Sequence, residues 1–219
     1  MKDKTTVRNA LLRQRLLPLY HHSDVEVSKH VLRALYQSGV RILEYTNRGP
    51  AAFGNYQQLL KMRDQEMPDL ILGVGTIKTL QAAQHFISAG ADFLVSPNAH
   101  QEVITYARVH NIFHIPGCMT PTEIAMAEEH GADFIKLFPG NLLGPEFLSS
   151  IREIFPALHF MPTGGVEPTS ESAEAWFKAG AVALGMGSRL VSKKLMDAGD
   201  FDSIQKATAH FLTVLAALK

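Results

Sequence analysis

The stretch Phe134-Ile135-Lys136-Leu137-Phe138-Pro139-Gly140 sets the expectations for the rest of the chain. It is a short apolar run that ends at proline and glycine, which is typical of a buried strand. Because side chains alternate between the two faces of a strand, Phe134, Lys136 and Phe138 should share one face. Burial there would lower the lysine pKa, and a neutral amine is the form that attacks a carbonyl to give a Schiff base. A lysine that reaches solvent or pairs with a carboxylate is the structural alternative.

Strand-like runs recur along the chain, and a helical pattern follows each of them. The predicted strands are Leu16–His21, Arg41–Asn47, Leu70–Ile77, Phe93–Asn98, Phe113–Met119, Phe134–Pro139, His159–Gly164 and Ala181–Gly185. The predicted helices span residues 5–15, 24–38, 55–65, 79–89, 100–109, 121–130, 145–154, 170–179 and 203–217. About eight βα units of roughly 20–30 residues predict a single α/β domain over residues 1–219, a (β/α)8 TIM barrel with a short N-terminal helix. A doubly wound open sheet is the alternative, because it has the same alternation.

Composition narrows the classes of partner and the compartment. The 219 residues carry 21 basic and 21 acidic side chains, without a basic stripe, so neither nucleic acid nor an anionic membrane is an expected partner. The only cysteine, Cys118, cannot form an internal disulfide, which fits a reducing compartment. No apolar run reaches transmembrane length, and the N-terminus lacks the apolar core of a signal peptide. We expect a cytoplasmic protein.

A carboxylate follows the same facing rule on the second predicted strand. Glu44, Thr46 and Arg48 share parity with Ile42, so the acid should point into the barrel. A buried acid is costly unless it is paired, and Lys136 is its natural partner. Burial would also move the carboxyl pKa toward the range of an acid–base catalyst. A solvated carboxylate at the strand edge is the structural alternative.

Glycines follow the last two predicted strands, as Gly164-Gly165 and as Gly187-Ser188. Their backbone N–H groups can bind an anion, and phosphate sites in TIM barrels are often built at these two strand ends. A single Gly-Gly pair is usually only a turn, but two glycine-rich ends in the correct units predict a phosphate site. The histidines show no ligand spacing, so no metal site is expected. Cys118 should be a small buried apolar residue without a catalytic role.

Six short blocks together resemble the marker sequences of the KDPG/KHG aldolases, which act on 2-dehydro-3-deoxy-phosphogluconate and 4-hydroxy-2-oxoglutarate. The blocks occur in the family's order between about residues 15 and 195: Leu43-Glu44-Tyr45-Thr46-Asn47-Arg48, Gly73-Val74-Gly75-Thr76, Ser96-Pro97-Asn98, Ile115-Pro116-Gly117, Phe134-Ile135-Lys136-Leu137-Phe138-Pro139 and Pro162-Thr163-Gly164-Gly165. The resemblance implies a class I aldolase, an aldehyde lyase of carbohydrate metabolism. Such enzymes are metal-independent, need no cofactor, and use a Schiff-base lysine in a (β/α)8 barrel. Family members are commonly homotrimers.

The resemblance also implies roles for individual residues. Lys136 would be the nucleophile and Glu44 the proton shuttle. The pyruvyl carboxylate and the carbinolamine would be surrounded by Arg48, Thr76 and Thr163, with Pro97 as a further substrate contact. The substrate phosphate would be held by Gly164, Gly165, Gly187 and Ser188.

The implied reaction cleaves a 2-keto-3-deoxy-6-phospho sugar acid to pyruvate and glyceraldehyde 3-phosphate, and 4-hydroxy-2-oxoglutarate is a second implied substrate. Thr163 resembles the gluconate branch, whereas Gly185-Met186-Gly187-Ser188 resembles the 6-phosphogalactonate branch, so the configuration at C4 stays open. Leu19-Tyr20-His21-His22 departs from many relatives. Two other hypotheses stay open: a phosphosugar isomerase or synthase that uses Lys136 as an electrostatic clamp, and a catalytically idle homologue that binds sugar acids.

Overall fold

The structure, a computed structural model, describes residues 1–218. Within them, the strands are β1 Leu16–Tyr20, β2 Ile42–Thr46, β3 Ile71–Gly75, β4 Phe93–Val95, β5 Phe113–Ile115, β6 Gly117–Cys118, β7 Phe134–Leu137, β8 His159–Pro162 and β9 Leu184–Met186. The helices are α1 Lys4–Gln14, α2 Val25–Gln37, α3 Ala52–Glu66, α4 Leu80–Ser88, α5 Gln101–Val109, α6 Pro121–Glu129, α7 Gly140–Ile151, α8 Ser170–Ala179, α9 Lys193–Asp197 and α10 Phe201–Ala217. None of the helices within residues 1–218 combines the length and the hydropathy that a membrane span requires.

The strands form two parallel sheets. Six of them curl into half of a barrel in the order β5-β4-β3-β2-β1-β9, and β6-β7-β8 form the second sheet. The order follows the chain from β1 to β5 without the reversal that defines a doubly wound sheet, so that alternative is wrong. Single parallel bridges, Phe160 with Ala181 and Thr163 with Gly185, connect the β8 segment to the chain around β9.

The buried side chains fall into two clusters, and the facing rule predicts their membership. Phe134 and Ile42 belong to an interior cluster enclosed by the strands. Ile135 and Leu137 belong to the larger cluster, which includes the buried faces of the helices. The predicted alternation of β7 is therefore confirmed, and Lys136 lies on the interior side of its strand.

Helix α1 covers the N-terminal ends of the strands. It begins after Asp3, whose side chain accepts a hydrogen bond from the Thr6 N–H, as an N-cap should. The Gln14 side-chain amide donates to the carbonyl of Ile42 at 2.7 Å, which ties the helix to the start of β2. Three apolar side chains of α1 pack in the interior cluster: Val7, Ala10 and Leu11. Apolar side chains of α1 therefore fill the interior between the strands at this end.

Most elements begin and end within three residues of their predicted bounds, and three differ from their predicted form by more. The fifth predicted strand is split into β5 and β6 at Pro116, because proline has no N–H to donate to a neighbouring strand. Helix α7 begins at Gly140 and is interrupted at Gly144, which has φ 74° and ψ 164° and precedes Pro145. Helix α9 was not predicted, since it is only five residues long.

Candidate active site

A cavity of about 440 Å³ opens at the C-terminal ends of the strands. This is the end at which active sites of parallel α/β barrels are found. The structure brings all ten predicted site residues to the wall of this cavity: Glu44, Arg48, Thr76, Pro97, Lys136, Thr163, Gly164, Gly165, Gly187 and Ser188. Residues from six strand ends that are far apart in sequence therefore face one space.

Lys136 lies deep in the cavity on β7. Its residue is 6% exposed, and its Nζ lies 4.8 Å from the centroid of the Phe138 ring. The Nζ makes no hydrogen bond or ion pair within residues 1–218, so the amine is not committed to a structural role. Burial lowers the pKa of this amine; the Glu44 carboxylate acts in the opposite direction, and Arg48 lowers it further. The neutral form is therefore more accessible than for an ordinary lysine.

Glu44 on β2 is the buried acid of the cavity. It is 1% exposed, and neither carboxylate oxygen has a hydrogen-bond partner in the part of the chain that the structure describes. Burial raises the pKa of this carboxyl, and the charges of Lys136 and Arg48 oppose the rise only in part. The predicted direct pairing with Lys136 is wrong: no contact within 4.0 Å joins the two groups. Their interaction acts across the cavity, which leaves both groups free for a substrate.

Gly75, at the end of β3, makes room for this carboxylate. A Cβ at this position would lie 1.6 Å from Oε1 of Glu44. Any larger residue would therefore push the acid out of its place. The glycine belongs to the block Gly73-Val74-Gly75-Thr76 quoted above, which was the only sequence signal for its importance.

Arg48 and Thr76 follow β2 and β3, which are neighbours in register. Thr76 has φ 59°, a left-handed conformation that costs a β-branched residue about 1–3 kcal/mol. Such strain concentrates at functional sites, where surrounding structure enforces it. The Arg48 guanidinium makes no ion pair among the described residues. A guanidinium and a hydroxyl that line the same cavity are suited to bind a carboxylate there.

Thr163 lies after β8, opposite Gly185. It is 4% exposed, and its Oγ1 has no hydrogen-bond partner within residues 1–218. Beyond it, Gly164 and Gly165 have φ 92° and φ 71°, which glycine adopts without strain. The N–H of Gly140 at the start of α7 donates to the Thr163 carbonyl at 2.7 Å and holds this turn in place. An unpaired hydroxyl and an ordered turn thus face the cavity together.

Four basic or imidazole side chains of the cavity wall had no predicted role: His21, His22, Arg189 and Lys193. Arg189 pairs with Glu167 at 3.0 Å. His22 and Lys193 both contact Asp197, His22 at 3.3 Å. Lys193 begins the short helix α9, for which Ser192 as N-cap was the available signal.

The thiol of Cys118 does not line this cavity. The residue is 2% exposed, and burial, with a smaller effect of Glu123, raises its pKa to about 12. The predicted burial of this cysteine is confirmed, and a thiol with a raised pKa is a poor nucleophile. Among residues 1–218, no three His, Cys, Asp or Glu side chains are grouped as metal ligands.

Comparison with known proteins adds an independent observation. Residues 7–207 match the family of KDPG and KHG aldolases. The chain is 33% identical over 214 residues to the 2-dehydro-3-deoxy-phosphogluconate aldolase of Treponema pallidum, which covers 97% of this chain and 99% of that protein. It is 31% identical over 176 residues to the probable 2-dehydro-3-deoxy-6-phosphogalactonate aldolase of Rhizobium meliloti, 80% of each chain.

A solved structure shares the fold. The KDPG aldolase of Legionella pneumophila, with pyruvate captured at low pH as a covalent carbinolamine intermediate, superposes with a TM-score of 0.85 and 25% sequence identity. The match covers 94% of this chain and 97% of the Legionella chain.

Proposed function

Because this chain belongs to the KDPG and KHG aldolase family and is an aldolase, we propose that it cleaves a 2-keto-3-deoxy-6-phospho sugar acid. The products are pyruvate and glyceraldehyde 3-phosphate. Lys136 carries this proposal, because a buried amine with a lowered pKa and no structural partner lines the same cavity as Glu44. The carbinolamine in the Legionella relative supports the same covalent chemistry.

The mechanism begins with neutral Lys136, whose Nζ attacks the C2 ketone. The carbinolamine loses water to give a protonated imine, and this imine accepts the electron pair of the C3–C4 bond. Glu44, directly or through a water molecule, takes the proton of the C4 hydroxyl as the aldehyde forms. The same proton can return to C3 of the enamine, and hydrolysis of the pyruvyl imine regenerates the amine. A carboxyl with a raised pKa suits both proton transfers.

The cavity wall orients the substrate along this path. Arg48 and Thr76 bind the pyruvyl carboxylate, and the unpaired Thr163 hydroxyl serves the carbinolamine oxygen. Pro97 forms an apolar side of the pocket. The phosphate lies at the other end, where it accepts hydrogen bonds from backbone N–H groups and one hydroxyl: Gly164, Gly165, Gly187 and Ser188.

Two further substrates fit the same machinery. 2-Keto-3-deoxy-6-phosphogalactonate differs from the corresponding gluconate only in its configuration at C4. The similarity of this chain to the Rhizobium meliloti protein favours it as the alternative substrate. Cleavage of 4-hydroxy-2-oxoglutarate to pyruvate and glyoxylate needs the lysine and the acid but no phosphate site. A kinetic panel of the three acids ranks them by kcat/KM.

Borohydride trapping tests the proposal. Pyruvate plus borohydride should add mass to the peptide that contains Lys136, because only an imine is reduced to a stable adduct. Lys136→Arg is the control: it keeps the charge but cannot form the imine. Labelling of another peptide, or none, would exclude the mechanism and favour an isomerase or an idle binding protein.

We also propose that residues 1–219 form one closed (β/α)8 domain that assembles as a cytoplasmic homotrimer. The bridges between β8 and β9 support closure on one side. On the other, the Lys136 N–H donates to the Pro116 carbonyl at 2.9 Å, which joins β7 to the strand formed by β5 and β6. Met119 and Leu142, 42% and 67% exposed, are apolar groups available for subunit contacts. Sedimentation equilibrium measures the trimer directly.

A further inference from the structure

His21 is a half-buried side chain of the cavity that the mechanism leaves unused. It directly follows β1, whose Leu17 packs in the interior cluster, so alternation places His21 on the interior side as well. The ring lines the cavity, and its Nδ1 is buried without a hydrogen-bond partner. Neither ring nitrogen bonds to any residue that the structure describes. A bound ligand could therefore supply the hydrogen-bond partner that the His21 ring lacks.

The His21 imidazole is suited to form a hydrogen bond in its neutral form. Burial lowers the pKa of the His21 imidazole, and positive charge on Arg48 and His22 lowers it further. Because no protein group fixes its tautomer, the accessible nitrogen can donate to a hydroxyl or accept from one. The neighbouring His22 differs, since its Nδ1 accepts from the Asp24 N–H at 3.1 Å and its Nε2 contacts Asp197.

The order of the strands says which part of the substrate lies near His21. Strands β2, β1 and β9 are consecutive in the sheet. Leu19 on β1 lies opposite Glu44, and Pro18 lies opposite Met186, two residues before Ser188. Under the proposed function, β2 supplies the group at the C4 hydroxyl and β9 the group at the phosphate on C6. Position C5 of the substrate then lies beside the end of β1.

We propose that His21 binds the C5 hydroxyl of the phosphorylated six-carbon acid. In the reverse, synthetic direction, this is the hydroxyl next to the carbonyl of the acceptor aldehyde. His21 is then a substrate-binding residue that sets specificity. A site built to hydrogen-bond a hydroxyl rejects the analogue that lacks it, because the protein group is left unpaired. The inference rests on the proposed function for the placement of C4 and of the phosphate.

Two acceptor aldehydes isolate this contact. Pyruvate is condensed with D-glyceraldehyde 3-phosphate or with 3-phosphooxypropanal, the same aldehyde without its 2-hydroxyl. The wild-type enzyme should prefer the hydroxylated aldehyde by about tenfold in kcat/KM, the value of one hydrogen bond. His21→Phe keeps the ring volume without the nitrogens and should bring the ratio close to one. His21→Asn should keep part of the preference, and His22→Ala should keep all of it.

The outcomes separate this inference from the proposed function. Borohydride trapping with pyruvate alone involves neither the aldehyde nor its hydroxyl, and it is run on every variant. If trapping succeeds and His21→Phe keeps the wild-type ratio, or the wild-type enzyme shows no preference, the role of His21 is refuted. If the wild-type enzyme traps no pyruvate, the proposed function itself fails. Should His21→Phe not fold, the kcat/KM ratios of the wild-type enzyme and His21→Asn for the two aldehydes are compared. A smaller ratio in His21→Asn supports the role of His21, and an equal ratio refutes it.

Discussion

Gly75→Ala tests whether the place of the Glu44 carboxylate matters for cleavage. The new Cβ would lie 1.6 Å from Oε1, whereas real Cβ contacts are essentially never shorter than 3.0 Å. The oxygen must therefore withdraw by about 1.4 Å, and a misplacement of about 1 Å can cost about 10²-fold in rate. Gly75 has no positive φ, so alanine fits the backbone itself. We expect kcat for cleavage to fall about 100-fold or more, with the fold retained.

The assay couples pyruvate release to a dehydrogenase and is run beside thermal unfolding and borohydride trapping. Gly73→Ala is the matched control, because it lies on the same strand and face, yet its Cβ would meet the Phe93 ring at 2.4 Å and not the carboxylate. It should lose stability but keep kcat below its unfolding temperature. Trapping at Lys136 should persist in both variants. A folded Gly75→Ala enzyme with wild-type kcat, or an equal loss in Gly73→Ala, would refute the reasoning.

Four other outcomes are expected. Because burial lowers the pKa of Lys136, pyruvate trapping by the wild-type enzyme should rise with pH through a midpoint below 10.5. Glu44→Gln should move this midpoint to lower pH, since the Glu44 carboxylate raises the pKa of Lys136. An unchanged midpoint in Glu44→Gln would contradict an interaction between the two groups. Ser188→Ala should narrow a preference of about tenfold for the phosphorylated acid over 4-hydroxy-2-oxoglutarate; an unaltered kcat/KM ratio removes the serine from the phosphate site. EDTA should leave cleavage unchanged, and a loss restored by a divalent ion would overturn the class I assignment. Arg63→Met removes the guanidinium from Asp92, whose buried side chain keeps hydrogen bonds from the Lys2 and Leu72 N–H groups, and should cost about 3–5 kcal/mol in urea unfolding. Equal stability would show that these N–H groups and the N-terminal amine, 4.0 Å away, compensate the carboxylate.

The burial of Lys136 is predictable from the sequence because a side chain on a strand can point to only one of two faces. Its apolar neighbours decide which facing is buried, and the same rule places Glu44 beside Ile42. The exposed backbone after β8 and β9 is also predictable, because glycine has no side chain to cover the N–H groups of a turn. The sequence thus suffices where one local rule decides the outcome.

Other features depend on contacts that no local pattern encodes. A left-handed Thr76 contradicts the preference of a β-branched residue, and only tertiary structure enforces it. The separation of Lys136 from Glu44 depends on the width of the interior. The need for glycine at position 75 is evident only once the Glu44 carboxylate is seen to lie against it. Helix α9 is too short for a periodic signal and is held through contacts of Asp197 with His22.

Apolar side chains of helix α1 fill the interior at the N-terminal ends of the strands, and the candidate active site opens at their C-terminal ends. Under the proposed function, the substrate and both products use this cavity at the C-terminal ends of the strands. Lys136 lies deep and Ser188 is exposed at the rim, so under the proposed mechanism the aldehyde must leave before the pyruvate still bound to the lysine. Such ordered release has a kinetic signature: pyruvate competes with the sugar acid for the free enzyme, whereas the aldehyde does not.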